Sequence, residues 1–330
     1  MDALLRKSLP NAGSGFLYKM LRKKNITLNG KKADGTERLA KGDVIRIFFA
    51  EETLNKFSGV NTKASDLDDF SPQDDPLEYY DDCYRKIENK GKIQIVYEDA
   101  DLVVINKPKG ILSQKSTKES ISINEWLIGY LLSKRIITPD QLFTYRPSVV
   151  NRLDFNTSGL LLCACSLKAA RVLSKAIKDR SVRKFYRCIV YGKYNAGAVL
   201  RGYIVKNNNN FVNVCSGDDP LPENARSIES KVTFLEYNNI NDVSRLEIEL
   251  VTGRSHQIRA SLFSAGFPIV GDRKYFDAKN DRLLCKKFNI SSQLLHAYRL
   301  EFPDNFSDLL PALNGVILTA PEMFPPLLNG

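Results

Sequence analysis

The residues best placed to do chemistry lie in one segment, Val149-Val150-Asn151-Arg152-Leu153-Asp154-Phe155-Asn156-Thr157-Ser158-Gly159-Leu160-Leu161-Leu162. A polar knot holding one acid and one base stands directly before an apolar run. Thr157 and Ser158 can hydrogen-bond the local backbone and hold the knot. Gly159 permits a tight entry into a strand. The bare residues leave two roles open for Asp154: a carboxylate that caps a turn, or a rigidly held catalytic one. Other chemistries find no support. The sequence has no G-x-S-x-G elbow for a serine hydrolase and no G-x-G-x-x-G fingerprint for a dinucleotide. Its six cysteines form no C-x-x-C pair, and His256 and His296 are its only histidines. No zinc cluster or EF-hand spacing results, so no metal and no cofactor are expected. Cys163 and Cys165 lie two apart in an apolar run and read as buried reduced thiols.

The elements that must position the knot are mostly strands. From about residue 92 onward, Ile93-Gln94-Ile95-Val96-Tyr97 and Leu102-Val103-Val104-Ile105 are short β-favouring runs. Lys107-Pro108-Lys109-Gly110 breaks the second run. Further strands are expected at 160–165, 184–191, 228–237, 243–251 and 294–302, and helices at 121–134, 167–179 and 255–265. Strands outnumber helices and most neighbours can pair antiparallel. The pattern predicts an α+β domain over 92–330, built on a large mixed or antiparallel sheet.

Residues 1–52 read as a separate small α+β module. Leu17, Met20 and Leu21 follow helical spacing, with basic residues on the other face. Asn25 ends that pattern. Ile26 and Leu28 precede Asn29-Gly30, a strong tight-turn signal, and a second short strand is expected from Asp43 to Phe49. Residues 53–91 are acidic, contain Pro72 and Pro76, and show no sustained periodicity, so they are expected to form a linker.

The net charge is +10. Residues 1–50 carry 11 Lys and Arg against 4 Asp and Glu, whereas residues 51–90 carry 5 against 11. Two basic blocks around an acidic segment suggest two surfaces for one polyanion. Apolar runs such as Leu160 to Ala164 are far shorter than the ~20 residues that span a bilayer. With no charged-then-apolar leader at the N-terminus either, a cytoplasmic location is expected.

A family resemblance sharpens this reading. The string RLDFNTSGLLL resembles the catalytic motif R-L-D-x-x-T-S-G of the RluA family of pseudouridine synthases. That family usually has His before the Arg, where Asn151 stands here. Further matches follow in order. Residues 97–112 resemble the family's first motif, and residues 183–192 its K-x-Y element, with Lys184 and Tyr186. Residues 250–275 resemble G-R-T-H-Q-I-R followed by Gly-Asp and Tyr, and residues 294–303 resemble the closing strand. The resemblance covers about residues 93–324. It implies the pseudouridine synthase fold and isomerisation of selected uridines in structured RNA, with Asp154 catalytic. It also implies Arg254 as the arginine partner of Asp154, Tyr186 as an aromatic face for a flipped base, Ile258 as an apolar wall, and Arg152 in the gap the base leaves. His256 would orient its loop, Gly271-Asp272 reads as a turn with Tyr275 packing nearby, and His296 reads as a satisfied core histidine.

Residues 12–50 resemble the alpha-L (S-four-type) RNA-binding domain, which implies that Lys19, Arg22, Lys23 and Lys24 face RNA phosphates. Relatives with such a module point to large-subunit ribosomal RNA as the partner, with transfer RNA as the alternative. A non-catalytic RNA-binding or ribosome-assembly factor is the competing reading. Asp154, Arg254 and Tyr186 kept in register speak against it.

Overall fold

The computed structural model describes residues 1–9, 11–40, 42–49, 53, 57, 76–117, 119–143, 145–195, 197–206, 212–215, 221–322 and 324–326. The chain divides into two compact units, 1–75 and 76–330.

In the first unit, helix α1 (Asp2–Ser8) and helix α2 (Ser14–Arg22) pack against a three-stranded sheet. Its strands are β1 (Ile26–Leu28), β2 (Lys31–Lys32) and β3 (Ile45–Ile47). Leu17 and Leu21 of α2 are buried with Leu5, Leu9 and Ile26. Asn29 and Gly30 both hold positive φ, 50° and 76°, between the paired Leu28 and Lys31. That is the geometry a two-residue hairpin requires, and Asn-Gly supplies it cheaply. Helix α1 was not legible beforehand, and the strand expected over 43–49 is confined to 45–47.

The second unit is built on an 11-stranded sheet. Its strands are β4 (Gln94–Glu98), β5 (Leu102–Lys107), β6 (Ser148–Val149), β7 (Ser158–Ala164), β8 (Arg183–Tyr191), β9 (Ala198–Lys206), β10 (Val212–Cys215), β11 (Arg226–Asn238), β12 (Val243–Leu250), β13 (Leu295–Glu301) and β14 (Ile317–Thr319). The order is β10-β9-β11-β12-β8-β13-β7-β5-β4, with β14 on β13 and β6 on β7. Every named pairing is antiparallel except β13 with β7. The expected α+β architecture on a mixed sheet is what forms.

Helices cover both faces. On one, α4 (Ile123–Ser133) and α6 (Gln257–Ser264) bury Trp126, Leu127, Ile258 and Leu262 against Leu161, Tyr186 and Ile248. On the other, α5 (Leu167–Lys178) buries Ala169 and Leu173 against Leu160 and Leu162. A further α-helix is α7 (Lys279–Lys287). No helix among the described residues is long and apolar enough to cross a membrane.

The acidic stretch expected to be a linker needs correcting. Residues Pro76–Lys90 form a 15-residue helix, α3, that belongs to the second unit. Tyr80, Cys83 and Ile87 are buried at helical spacing, and Tyr84 packs beside them. Asp81 and Asp82 pair with Arg85 and Lys86 one turn on, whereas Glu88 accepts from the buried Trp126 indole at 2.8 Å. Most of 53–75 lies outside the described residues.

Helix α3 meets α4 at Gly129. A Cβ there would stand 2.3 Å from the Tyr80 carbonyl oxygen and 2.7 Å from the Tyr84 Cβ. Gly129→Ala is therefore expected to push the helices apart and lower stability by about 2 kcal/mol in urea unfolding.

The parallel junction of β13 and β7 carries a buried histidine. The Nε2 of His296 lies 3.2 Å from the Ala320 carbonyl, so it carries the proton, and Nδ1 accepts from the Ser158 hydroxyl at 2.9 Å. Burial pushes the ring from 6.5 down to about 4. The unfolded chain thus takes up a proton near pH 6.5 and the folded protein only near 4. The stabilising contribution is fully present above 6.5 and is lost as pH falls towards 4, by at most about 3 kcal/mol. A denaturation series across that window is expected to show the fall in wild type and a flatter profile in His296→Gln.

Candidate active site

Asp154 sits in the loop that enters β7, an inner strand of the sheet between β13 and β5. The loop is clamped from several sides. Ser113 Oγ donates to the Leu153 carbonyl at 2.8 Å and accepts from the Leu153 amide at 3.0 Å. The Phe155 carbonyl accepts from the Gly110 amide at 2.9 Å and from Lys107 Nζ at 3.2 Å. Asn151 Oδ1 accepts from the Leu162 amide at 2.8 Å, tying the base of the loop to its own strand. At Gly159 φ is 117°, and a Cβ would come within 2.2 Å of the Ala297 carbonyl oxygen, so only glycine passes β13 here.

Lys107 was not singled out from the sequence. Its side chain is fully buried, and its ammonium donates to three carbonyls, those of Pro108, Ile111 and Phe155. Burial pulls it down to about 7, against the upward pull of Asp154. Three acceptors match the three hydrogens of the charged form. Lys107 thereby places a positive charge near Asp154 and pins the loop that carries it.

The partner of Asp154 is Arg259, not Arg254. Arg259 Nη1 donates to Asp154 Oδ2 at 2.8 Å. Its other edge grips Asp272 in a fork, with Nε and Nη2 at 2.7 and 2.8 Å from the two carboxylate oxygens. Burial lowers the guanidinium pKa, but Asp272 and Asp154 more than offset this and leave it raised. The side chain of Asp272 is 2% exposed and that of Asp154 27%. One carboxylate is thus an internal anchor, and the other is open to a substrate.

Arg259 lies in the first turn of α6, which faces the loop. Arg254 stands exposed in the preceding turn. That turn is held by Gln257, whose Oε1 accepts from the Arg254 amide and the Thr252 hydroxyl. Gln257 Nε2 reaches the Glu229 carbonyl and Ser230 Oγ. The turn ends at His256, left-handed at φ 56°. His256 Nδ1 is 3.1 Å from the Tyr275 hydroxyl, and its Nε2 is 3.8 Å from Asp154 Oδ2. Burial keeps His256 below 6.5 despite the nearby Asp154. The turn at Gly271-Asp272 is present, but its aspartate is the anchor of Arg259, a role the sequence did not suggest.

Asp154, Arg259, His256 and Gln257 line a cavity of about 980 Å³, near the top of the range of about 300–1,000 Å³ typical of small-ligand sites. Asp154, Arg152, Tyr186, Arg254 and Ile258 all border it. Tyr186 and Ile258 are buried, and Arg152 is exposed. Burial, and then the charge of Asp154, push the Tyr186 phenol well up, so it keeps its proton at neutral pH. In the first unit Lys19, Arg22, Lys23 and Lys24 are all exposed. Lys19 and Arg22 lie in the last turn of α2, Lys23 caps it, and Lys24 turns away at φ 60°.

Comparison with known proteins identifies the family. Residues 101–264 match the RNA pseudouridylate synthase family. An uncharacterized RNA pseudouridine synthase of Mycoplasma genitalium is 30% identical over 323 residues, 96% of this chain and 90% of that protein. The chain belongs to the RNA pseudouridine synthase family. Ribosomal large subunit pseudouridine synthase C of Vibrio cholerae is 29% identical over 306 residues, 92% of this chain and 84% of that protein. Among solved structures, human RNA pseudouridylate synthase domain containing 4 shares the fold, with a TM-score of 0.56, 22% identity, and 74% of this chain and 92% of that one covered.

Asp272 fixes the guanidinium that holds Asp154. Asp272→Asn leaves a buried Arg259 with half its counter-charge. The variant is expected to lose about 3 kcal/mol of stability and about 100-fold in single-turnover rate, as when a site carboxylate is misplaced by about 1 Å.

Proposed function

We propose that the enzyme converts selected uridines of large-subunit ribosomal RNA to pseudouridine, with Asp154 as its catalytic residue. The observation that carries this reading is the solvent-reachable Asp154 carboxylate held by Arg259 at the mouth of a cavity bordered by Tyr186 and Ile258. The reaction breaks the N1–C1′ bond, turns the detached uracil and joins C5 to C1′. C5 loses its proton and N1 gains one, so atoms and charge balance with no redox partner. Asp154 enters either by attack on C1′ or by removal of the C2′ proton, and both routes begin from its ionised form.

A uridine stacked in a helix is out of reach, so the target nucleotide is flipped into the cavity. Tyr186 offers its ring and Ile258 an apolar wall. Tyr186 acts as a neutral phenol, available as a hydrogen-bond donor to the turning base. Arg152, exposed at the rim, has a planar guanidinium suited to stacking in the gap left behind. His256 needs no acid–base role, because Asp154 already supplies the carboxylate. Arg254, at the mouth, is assigned to RNA contact rather than to Asp154.

The first unit is assigned to RNA binding through Lys19, Arg22, Lys23 and Lys24, in line with its alpha-L-like pattern. The ribosomal choice of substrate is supported by the names that relatives in Vibrio cholerae and Borreliella burgdorferi carry, ribosomal large subunit pseudouridine synthases C and D. Transfer RNA is the second substrate to examine.

Pseudouridine mapping in cells that lack the gene checks the whole reading. Particular positions in large-subunit ribosomal RNA are expected to lose pseudouridine and to regain it with wild type but not with Asp154→Asn. Full rescue by Asp154→Asn would leave a non-catalytic RNA-binding factor as the better account.

A further inference from the structure

Lys184 is one of the charged groups bordering the cavity to which the reaction above gives no task. It precedes Tyr186 by two residues on β8, so both side chains leave the same face of the strand, and both line the cavity. The residue is only 7% exposed. Its ammonium makes a single long hydrogen bond, 3.5 Å to the Val182 carbonyl, and pairs with no carboxylate among the described residues. Burial, and then the positive charge of Arg180, push its pKa down.

Arg180 and Lys178 border the same cavity and are exposed. Lys178 ends α5, and Arg180 follows in the left-handed conformation at φ 61°. The Ser181 amide bonds back to the Ala176 carbonyl and the Arg180 amide to the Ile177 carbonyl, closing the helix in a Schellman turn. Glycine is the usual occupant of that left-handed place. An arginine instead adds a second cation beside a buried lysine that already lacks a counter-ion. Two like charges held together in this way are relieved by an anion between them.

We propose that Lys184, Arg180 and Lys178 form a phosphate subsite that takes a backbone phosphate of the substrate RNA beside the flipped nucleotide. The proposal deepens the reading of the cavity given above and rests on it for the identity of the RNA. Lys184 grips the phosphate from the cavity floor, and Arg180 and Lys178 close on it from the rim. The flipped base is thereby held at two points, by its ring in the cavity and by its backbone at the edge.

The test uses the full chain and an unmodified large-subunit ribosomal RNA transcript, with binding followed by filter retention from about 50 to about 300 mM KCl. Pseudouridine is measured in the same samples. Each lost phosphate contact is expected to make the slope of log affinity against log salt shallower by about 1, so Lys184→Met loses about 1 and Arg180→Gln with Lys178→Gln about 2. Lys184→Arg is expected to keep the wild-type slope. Unchanged slopes overturn the proposal, as does a Lys184→Met variant that melts earlier but keeps the wild-type slope. Arg180 and Lys178 are exposed, so their double variant decides the matter even where Lys184→Met does not fold. If wild type makes no pseudouridine while the slopes fall as stated, the activity reading fails and the phosphate subsite stands.

Discussion

One buried guanidinium holds the site together. Arg259 is shared by two carboxylates, one sealed inside the protein and one open to the cavity. Burying such a trio gains little stability compared with well-packed apolar side chains. What it gains is position, because a fork-bound guanidinium has almost no freedom, and the carboxylate on its far side inherits that constraint. The structure around it can be understood as support for its two ends. Gly271 has φ of 78° and lies where a Cβ would meet the Ser292 carbonyl oxygen at 2.6 Å, so the turn carrying Asp272 packs closely against that backbone. Buried Asp281 accepts from the Gly271 amide and from the Tyr191 hydroxyl, fixing the same turn.

The other end is held by a loop with little freedom of its own. Lys107, Ser113 and Asn151 fasten it from three directions, each through backbone atoms. Side chains that bond to backbone fix a loop whatever its own side chains are. Asn151 shows the point. It stands where the family usually carries histidine, and its amide ties the loop to the Leu162 amide, a bond internal to the loop and its strand.

Much of this was legible in the sequence, for identifiable reasons. Strands β5, β7, β8, β11, β12 and β13 were visible because their apolar runs are bounded by turn residues. The Asn29-Gly30 hairpin was visible because its chemistry is local. Helix α3 was missed because its acids dominate the composition, although Tyr80, Cys83, Tyr84 and Ile87 carry the helical period. Arg259 was passed over for Arg254, five residues earlier. Both belong to one basic string, and only the start of α6 decides which of them turns inward. Asp272 and Lys107 were missed for a related reason. Their roles depend on partners 13 and 48 residues away, a relation no local pattern encodes.

The place of β13 has a consequence for how the chain is made. It lies between β7 and β8, so the ladder β4-β5-β7 and the ladder from β8 to β10 share no edge until residues 295–301 are inserted. Asp154 stands in the loop entering β7 of the first ladder, Tyr186 on β8 of the second, and Arg259 on helix α6. Without β13 the chain can form two half-sheets but not the continuous sheet. Joining them is a late, long-range event, and such pairings close slowly. The two halves of the cavity wall are thus joined through β13 alone within the sheet.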